Sequence, residues 1–327
     1  NDNADAILGR EWNRLMWGED HFEARYSTES TINAITIEDM RKFHRKLFNP
    51  DNLIISVTGD FKPNDMLTTL ESAVSNWQDG ETMPDPPKPD HEPEPGVYYV
   101  QKDIPQGKVR IGHRGIERDH PDYFKVMVMN DILGGGGFTS RITNRVRSDE
   151  GLAYGAGSSF QPRVHYPGQF VASFASKNPT VALAADIIFQ EFEKIQDKGV
   201  TEEEIQTSKN SFIQTFPRRF ESKQGMLSVF VNDQWTDRAP NYWKNYRKNV
   251  RSVTPEAVQT AARRHINPDD AAILVVGDWD EIYKGNLETE TDSDRQASMA
   301  DFFNGMSNEI PLKDPLTQEP IENDGSE

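Results

Sequence analysis

Apolar residues recur at helical spacing from the start of the chain, with Ile7, Leu8, Trp12, Leu15 and Met16 marking one face of a first helix. A second helical pattern opens at Thr36, an N-cap residue, and ends at the Asn49-Pro50 turn. A short apolar run, Ile55 to Thr58, then reads as a strand leading into Gly59-Asp60, and a helix follows over Met66 to Trp77. The stretch from Pro84 to Pro95 is too rich in proline for helix or central strand and reads as a linker. Beyond it the period alternates between two and 3.6. Strands are expected at Val97–Gln101, Lys108–Gly115, Leu152–Phe160 and Gln169–Ala175, and helices at Pro121–Leu133, Ser140–Asp149, Thr180–Lys198 and Thr201–Arg219. Further helical patterns run around Met226–Phe230 and Tyr242–Val250.

The end of this pattern repeats the beginning. Asn49-Pro50-Asp51 followed by Ile55 to Asp60 returns as Asn267-Pro268-Asp269 followed by Ile273 to Asp278, at a constant offset of 218. Thr36, Glu38 and Arg45 map onto Thr254, Glu256 and Arg263. In the second copy the module extends far upstream of this shared end. Shifted back by the same offset, its start would fall about 120 residues ahead of Asn1, so the first copy is expected to be the closing part of a domain. One strand there has no sheet to join. The fold class expected is α+β: two homologous domains of antiparallel sheet packed by helices, the first truncated at 1–80. A Pro-rich linker follows at 81–96, a complete second domain at 97–285, and an acidic tail at 286–327.

Composition narrows the partners. The net charge of −17 would repel a phosphate backbone, which argues against nucleic acid. Much of the excess lies in the last fifty residues, where Asp278 to Glu327 hold fourteen acids against Lys284, Arg295 and Lys313; a solvated acidic tail is the simplest reading. The tail also holds one short amphipathic piece, Met299–Met306, and the Ile310–Thr317 segment is expected to dock on the body. No apolar run approaches membrane-spanning length, so no membrane contact is expected. The absence of cysteine excludes disulfides and thiolate metal sites.

Two segments carry a family resemblance. Ile132-Leu133-Gly134-Gly135-Gly136-Gly137-Phe138-Thr139-Ser140-Arg141, followed by Arg147 and by Gly151-Leu152-Ala153-Tyr154, resembles the second homologous domain of the pitrilysin/insulinase zinc metallopeptidases. The earlier stretch from Asn3 through Trp17-Gly18-Glu19-Asp20-His21 and Phe48-Asn49-Pro50-Asp51 to Gly59-Asp60 is similar to the last third of the first domain in bacterial members. The resemblance implies a parent protein that encloses unfolded peptides between two lobes and cleaves them with a zinc-bound water. The zinc is held in that family by an inverted His-x-x-Glu-His motif and a distal Glu of the first domain. None of the seven histidines here, His21, His44, His91, His113, His120, His165 and His265, has that spacing. No metal ligand is therefore assigned in this chain, and zinc is expected only in the complete protein.

What the resemblance transfers is Arg147 and Tyr154. The Tyr hydroxyl would donate to the scissile carbonyl or the oxyanion, and the Arg would orient peptide backbone. The partners implied are a peptide substrate and either a missing N-terminal portion or a partner subunit. A non-catalytic homologue acting as partner subunit or structural component is the rival reading. The compartment is not legible in the residues; the resemblance suggests an exported, periplasmic bacterial protein. The glycine run lacks a P-loop ending and reads as a helix cap and turn. The aromatic set Phe212, Phe216, Phe220, Phe230, Trp235, Tyr242, Trp243 and Tyr246 reads mostly as core.

Overall fold

The computed structural model describes residues 3–286 and 295–321. In chain order the elements are α1 (Ala4–Trp17), α2 (Glu29–Asn33), α3 (Ile37–Leu47), α4 (Pro63–Val74), β1 (Gly96–Gln101), β2 (Gln106–Arg114), α5 (Tyr123–Asn130), α6 (Arg141–Thr143), β3 (Ala153–Gln161), β4 (Gln169–Lys177), α7 (Val181–Lys198), α8 (Glu202–Thr215), α9 (Lys223–Trp235), α10 (Tyr242–Arg251), α11 (Pro255–His265), β5 (Ala272–Gly277), α12 (Trp279–Lys284) and β6 (Ser307–Glu309). No helix among the described residues is long and apolar enough to cross a membrane.

The described residues of 1–28, 88–210 and 248–327 form one compact unit. Its six strands lie in the order β3-β4-β2-β5-β1-β6, antiparallel from β3 to β5 and parallel where β1 meets β5 and β6. Every residue of β5 is buried, which explains why it reads as an unbroken apolar run: both of its faces are covered. On one face Ala272, Leu274 and Val276 join Ile7, Leu8, Trp12 and Met16 of α1 in a common core. On the other, Ile273 and Val275 stand opposite Ile111 and Val109 of β2, and Phe170 of β4 meets Phe192 of α7 edge-on. Compactness and repeat thus divide the chain differently. Residues 1–28 belong by repeat to the first copy, yet α1 supplies the apolar stripe that closes the second copy's sheet.

The tail adds the outermost strand. β6 pairs with β1, the Ile310 amide donates to the Tyr99 carbonyl, and Ile310 and Leu312 pack against the α1 core. Lys313 reaches the buried Glu11 at 3.6 Å. The tail is therefore more than a solvated acidic run over 299–321; the acids at 287–294 and 322–327 lie outside the described residues.

The residues of 29–87 and 211–247 form the second compact unit. Thr36 caps α3 in a capping box with Asp39, as Thr254 caps α11 by accepting from the Ala257 amide. The repeat extends to the turns, for Pro50–Asn52 and Pro268–Asp270 are both single 3₁₀ turns. It fails at the strand. The expected strand at Ile55–Thr58 is unpaired among the described residues and exposed, whereas its counterpart β5 lies between β2 and β1. A strand forms only where neighbours take up its backbone groups, and among the described residues this stretch has none. The aromatic set also divides. Tyr246 is buried and stacks on Phe216, with Phe220 and Trp243 beside them, but Phe230 and Trp235 are exposed and are not core.

Candidate peptide-binding site

The sequence motif folds into a tight succession of turns. α5 widens at its end into a π turn, Asp131–Gly135, followed by a 3₁₀ turn at Gly137–Thr139. α6 then widens into a second π turn, Asn144–Asp149, before β3. Single π turns of this kind recur at functional sites because they swing side chains out of helical register. The glycines are required by close approach and by backbone angle. A Cβ at Gly134 would come within 2.4 Å of the Ser158 nitrogen, and Gly137 adopts a φ of +60°. Side chains fasten these turns to β3: Ser158 donates to Asn130 Oδ1, Asn130 Nδ2 donates to the Ser158 carbonyl, and Thr143 donates to the Ala156 carbonyl.

The three arginines that follow have different fates. Arg141 forks onto Glu204, with Nε–Oε1 at 2.6 Å and Nη2–Oε2 at 2.8 Å, and also donates to the Gly199 carbonyl. Arg145 pairs with Glu191, which is fully buried. Arg147 pairs with no carboxylate among the described residues. Its guanidinium carbon lies 4.5 Å from the centre of the Phe138 ring and 4.9 Å from that of Tyr154. Both rings face solvent, Phe138 at 68% and Tyr154 at 89% exposure. A β-bulge between Ala153 and Ala156 removes Tyr154 from the ladder and frees it to project.

The structure thus brings the two residues expected from the sequence, Arg147 and Tyr154, into contact and adds Phe138. Phe138 lies inside the quoted motif, but nothing in the sequence distinguishes an exposed ring from a packed one. The arrangement offers in-plane guanidinium N–H groups, a phenol hydroxyl and two apolar ring faces. That set can hydrogen-bond peptide carbonyls and cover a side chain.

Of the histidines, His120 and His265 come together with Asp122, their ligand atoms within 4.8 Å of one another. Asp122 is already committed to Lys125 at 2.5 Å, Arg264 at 2.9 Å and His265 at 2.9 Å, while His120 Nδ1 accepts from the Asp122 amide. Burial alone would raise the Asp122 pKa, but Lys125, His265 and Arg264 outweigh it and hold the carboxyl well below its usual range. Two cations on the carboxylate argue against a divalent ion there. His113 donates Nδ1–H to the Arg114 carbonyl and accepts from the Asn267 amide, and burial lowers its pKa; it is a neutral core residue.

The family described as the peptidase M16 inactive domain matches residues 34–212, more than half of the chain. The chain belongs to this family. The pitrilysin/insulinase resemblance of the sequence is thereby established. Among M16 relatives, a "non-peptidase homolog YmxG" of Helicobacter pylori is 25% identical over 77% of this chain and 58% of its own length. An "uncharacterized zinc protease YmxG" of Bacillus subtilis is 22% identical over 76% of this chain and 59% of its own length. The chain therefore spans less than two thirds of these relatives. The crystal structure of a peptidase M16 inactive domain from Pseudomonas fluorescens shares the fold, with a TM-score of 0.76 and 24% identity over 84% of this chain and 65% of that one. A chain of complex III2 from Candida albicans does so at a TM-score of 0.67 and 12% identity, over 86% of this chain and 68% of that one.

Proposed function

We propose that this M16 chain is the substrate-binding C-terminal part of a zinc metallopeptidase that cleaves peptides or unfolded polypeptides in an enclosed cavity, its zinc site lying on residues outside this sequence. The observation that carries the reading is the exposed Phe138–Arg147–Tyr154 group, a cation held between two rings on a doubly π-widened turn with no carboxylate partner among the described residues. Arg147 would orient the peptide backbone, and the Tyr154 hydroxyl would donate where charge develops on the scissile carbonyl. Such a donor contributes about 3 kcal/mol in a water-poor site. Tyr154→Phe in the complete protein should then lower kcat more than it raises KM. Equal kcat in the two proteins would return Tyr154 to a surface role, and chelator-sensitive proteolysis by this chain alone would refute the placement of the zinc elsewhere.

A second reading is a non-catalytic partner subunit, for which the α3 face offers a docking surface. Met40, Phe43 and Phe48 are 52–62% exposed, while the residues 218 positions on, Val258, Ala261 and Ile266, are buried. By analogy with α11 and β5, the surface of α3 and 53–57 calls for a covering sheet and helices. That cover would come from an N-terminal portion of the same polypeptide or from another subunit. The non-peptidase name of the Helicobacter relative and the complex III2 chain agree with this alternative.

A further inference from the structure

The turn that presents Phe138 to Arg147 also shapes a second site. Thr139 lines a cavity of about 220 Å³ that lies between the Asp131–Gly135 turn and the start of α8, walled by Asp131, Glu203, Glu204, Thr207 and Ser208. Its polar side chains offer oxygen, and no Lys, Arg or His is among them. Glu204 is spent, its oxygens taken by Arg141 and by the Thr201 amide and hydroxyl. Glu203 stands exposed at the rim.

Asp131 is different. It has no ion pair among the described residues, and burial pushes its carboxyl upward. The Ser208 hydroxyl lies close enough to pull the other way, yet forms no hydrogen bond of good geometry. Ser208 is 2% exposed, and its Oγ is left without a partner. A ligand donor would give that buried oxygen a partner.

We propose that this cavity is a subsite for a primary ammonium group, a lysine side chain or the amino end of a peptide, with Asp131 as its counter-ion. An ammonium carries three N–H donors and accepts nothing, which suits a carboxylate in a cavity also lined by Ser208, Thr207 and Thr139. A calcium ion calls for about six to eight oxygens with several free carboxylates, and only Asp131 offers one inside. The volume lies below the roughly 300 Å³ at which pockets for drug-sized ligands begin, so the site fits a side chain or chain end. The inference does not depend on the role proposed for Arg147 and Tyr154.

The test uses the full chain, isotopically labelled, titrated with n-butylammonium chloride at constant ionic strength. Saturable amide shifts at Asp131, Thr139, Thr207 and Ser208 are expected, with at least a tenfold loss of affinity in Asp131→Asn and a smaller loss in Ser208→Ala. An undisturbed spectrum elsewhere certifies that both variants are folded. Nα-acetyl-lysine methylamide and alanine amide then separate the two sources, since the first presents only a side-chain ammonium and the second only an α-ammonium. The proposal is overturned if butylammonium leaves these residues unshifted, if Asp131→Asn binds it as tightly as the parent chain, or if calcium saturates the cavity and butylammonium cannot displace it.

Discussion

Arg141 and Glu204 are joined by two parallel hydrogen bonds, and the same carboxylate accepts from the Thr201 amide at the head of α8. One acid therefore caps a helix and anchors the turn that carries the candidate site. Burial by itself raises the Glu204 pKa; the Arg141 and Thr201 bonds prevail and bring it to about 2. A folded pKa below the unfolded value means stability that is present above about pH 4.3 and lost as pH falls toward 2. Glu204→Gln should therefore cost about 2 kcal/mol at pH 7 and progressively less below pH 4. Urea unfolding across that range checks it, and a cost independent of pH would contradict the assignment.

Asp131 should behave in the opposite sense. Burial raises its pKa and outweighs the nearby Ser208 hydroxyl, which lowers it. Ionising it is then a cost that grows as pH rises through the unfolded value toward the folded one. Asp131→Asn is expected to stabilise the protein at pH 7 and to leave stability unchanged at pH 3. Thermal melts at the two pH values distinguish this from a uniform effect of the amide.

The tail should contribute measurably to the sheet. Ile310 and Leu312 are partly buried against the α1 core, so Leu312→Ala is expected to cost about 1–2 kcal/mol, less than a fully buried leucine. Lys313→Met should cost little, because Glu11 keeps Arg10 and Arg14 at 2.9 and 2.8 Å. Chemical denaturation of the two variants provides the comparison.

Much of this was legible in the sequence, and the failures share a cause. The helices α1 and α3 to α10 and strands β1 to β4 announce themselves by period, the repeat marks α11 and β5, and Arg147 and Tyr154 stand at a spacing that a family motif marks; the five-residue α2 is too short to show a period. The strand expected at 55–58 has the right composition, but pairing is supplied by other segments, which no local pattern reports. α1 was readable as an amphipathic helix, yet the sheet it covers belongs to the other copy of the repeat. β6 is three polar residues long and carries no period at all. Phe138 was hidden for a related reason, since apolar character alone does not tell exposure. The His120–Asp122–His265 contact joins residues 145 positions apart and leaves no trace in spacing.

The repeat itself supplies a last comparison, because equivalent positions sit in opposite environments. Val258 of α11 is fully buried, while Met40, its counterpart in α3, is 59% exposed. Val258→Ala removes packed methyl groups and should cost about 2 kcal/mol. Met40→Ala and Phe43→Ala remove apolar surface that already faces water, and each should fall within about 0.5 kcal/mol of the parent chain. The asymmetry should vanish when the α3 face is covered. In a complex with an N-terminal segment or subunit that completes this half, Phe43→Ala is expected to weaken association at least tenfold, read by titration of the separately expressed partner. Unchanged association would show that the cover, if one binds, does not rest on α3. A large cost of Phe43→Ala in the isolated chain would show that the face is already packed.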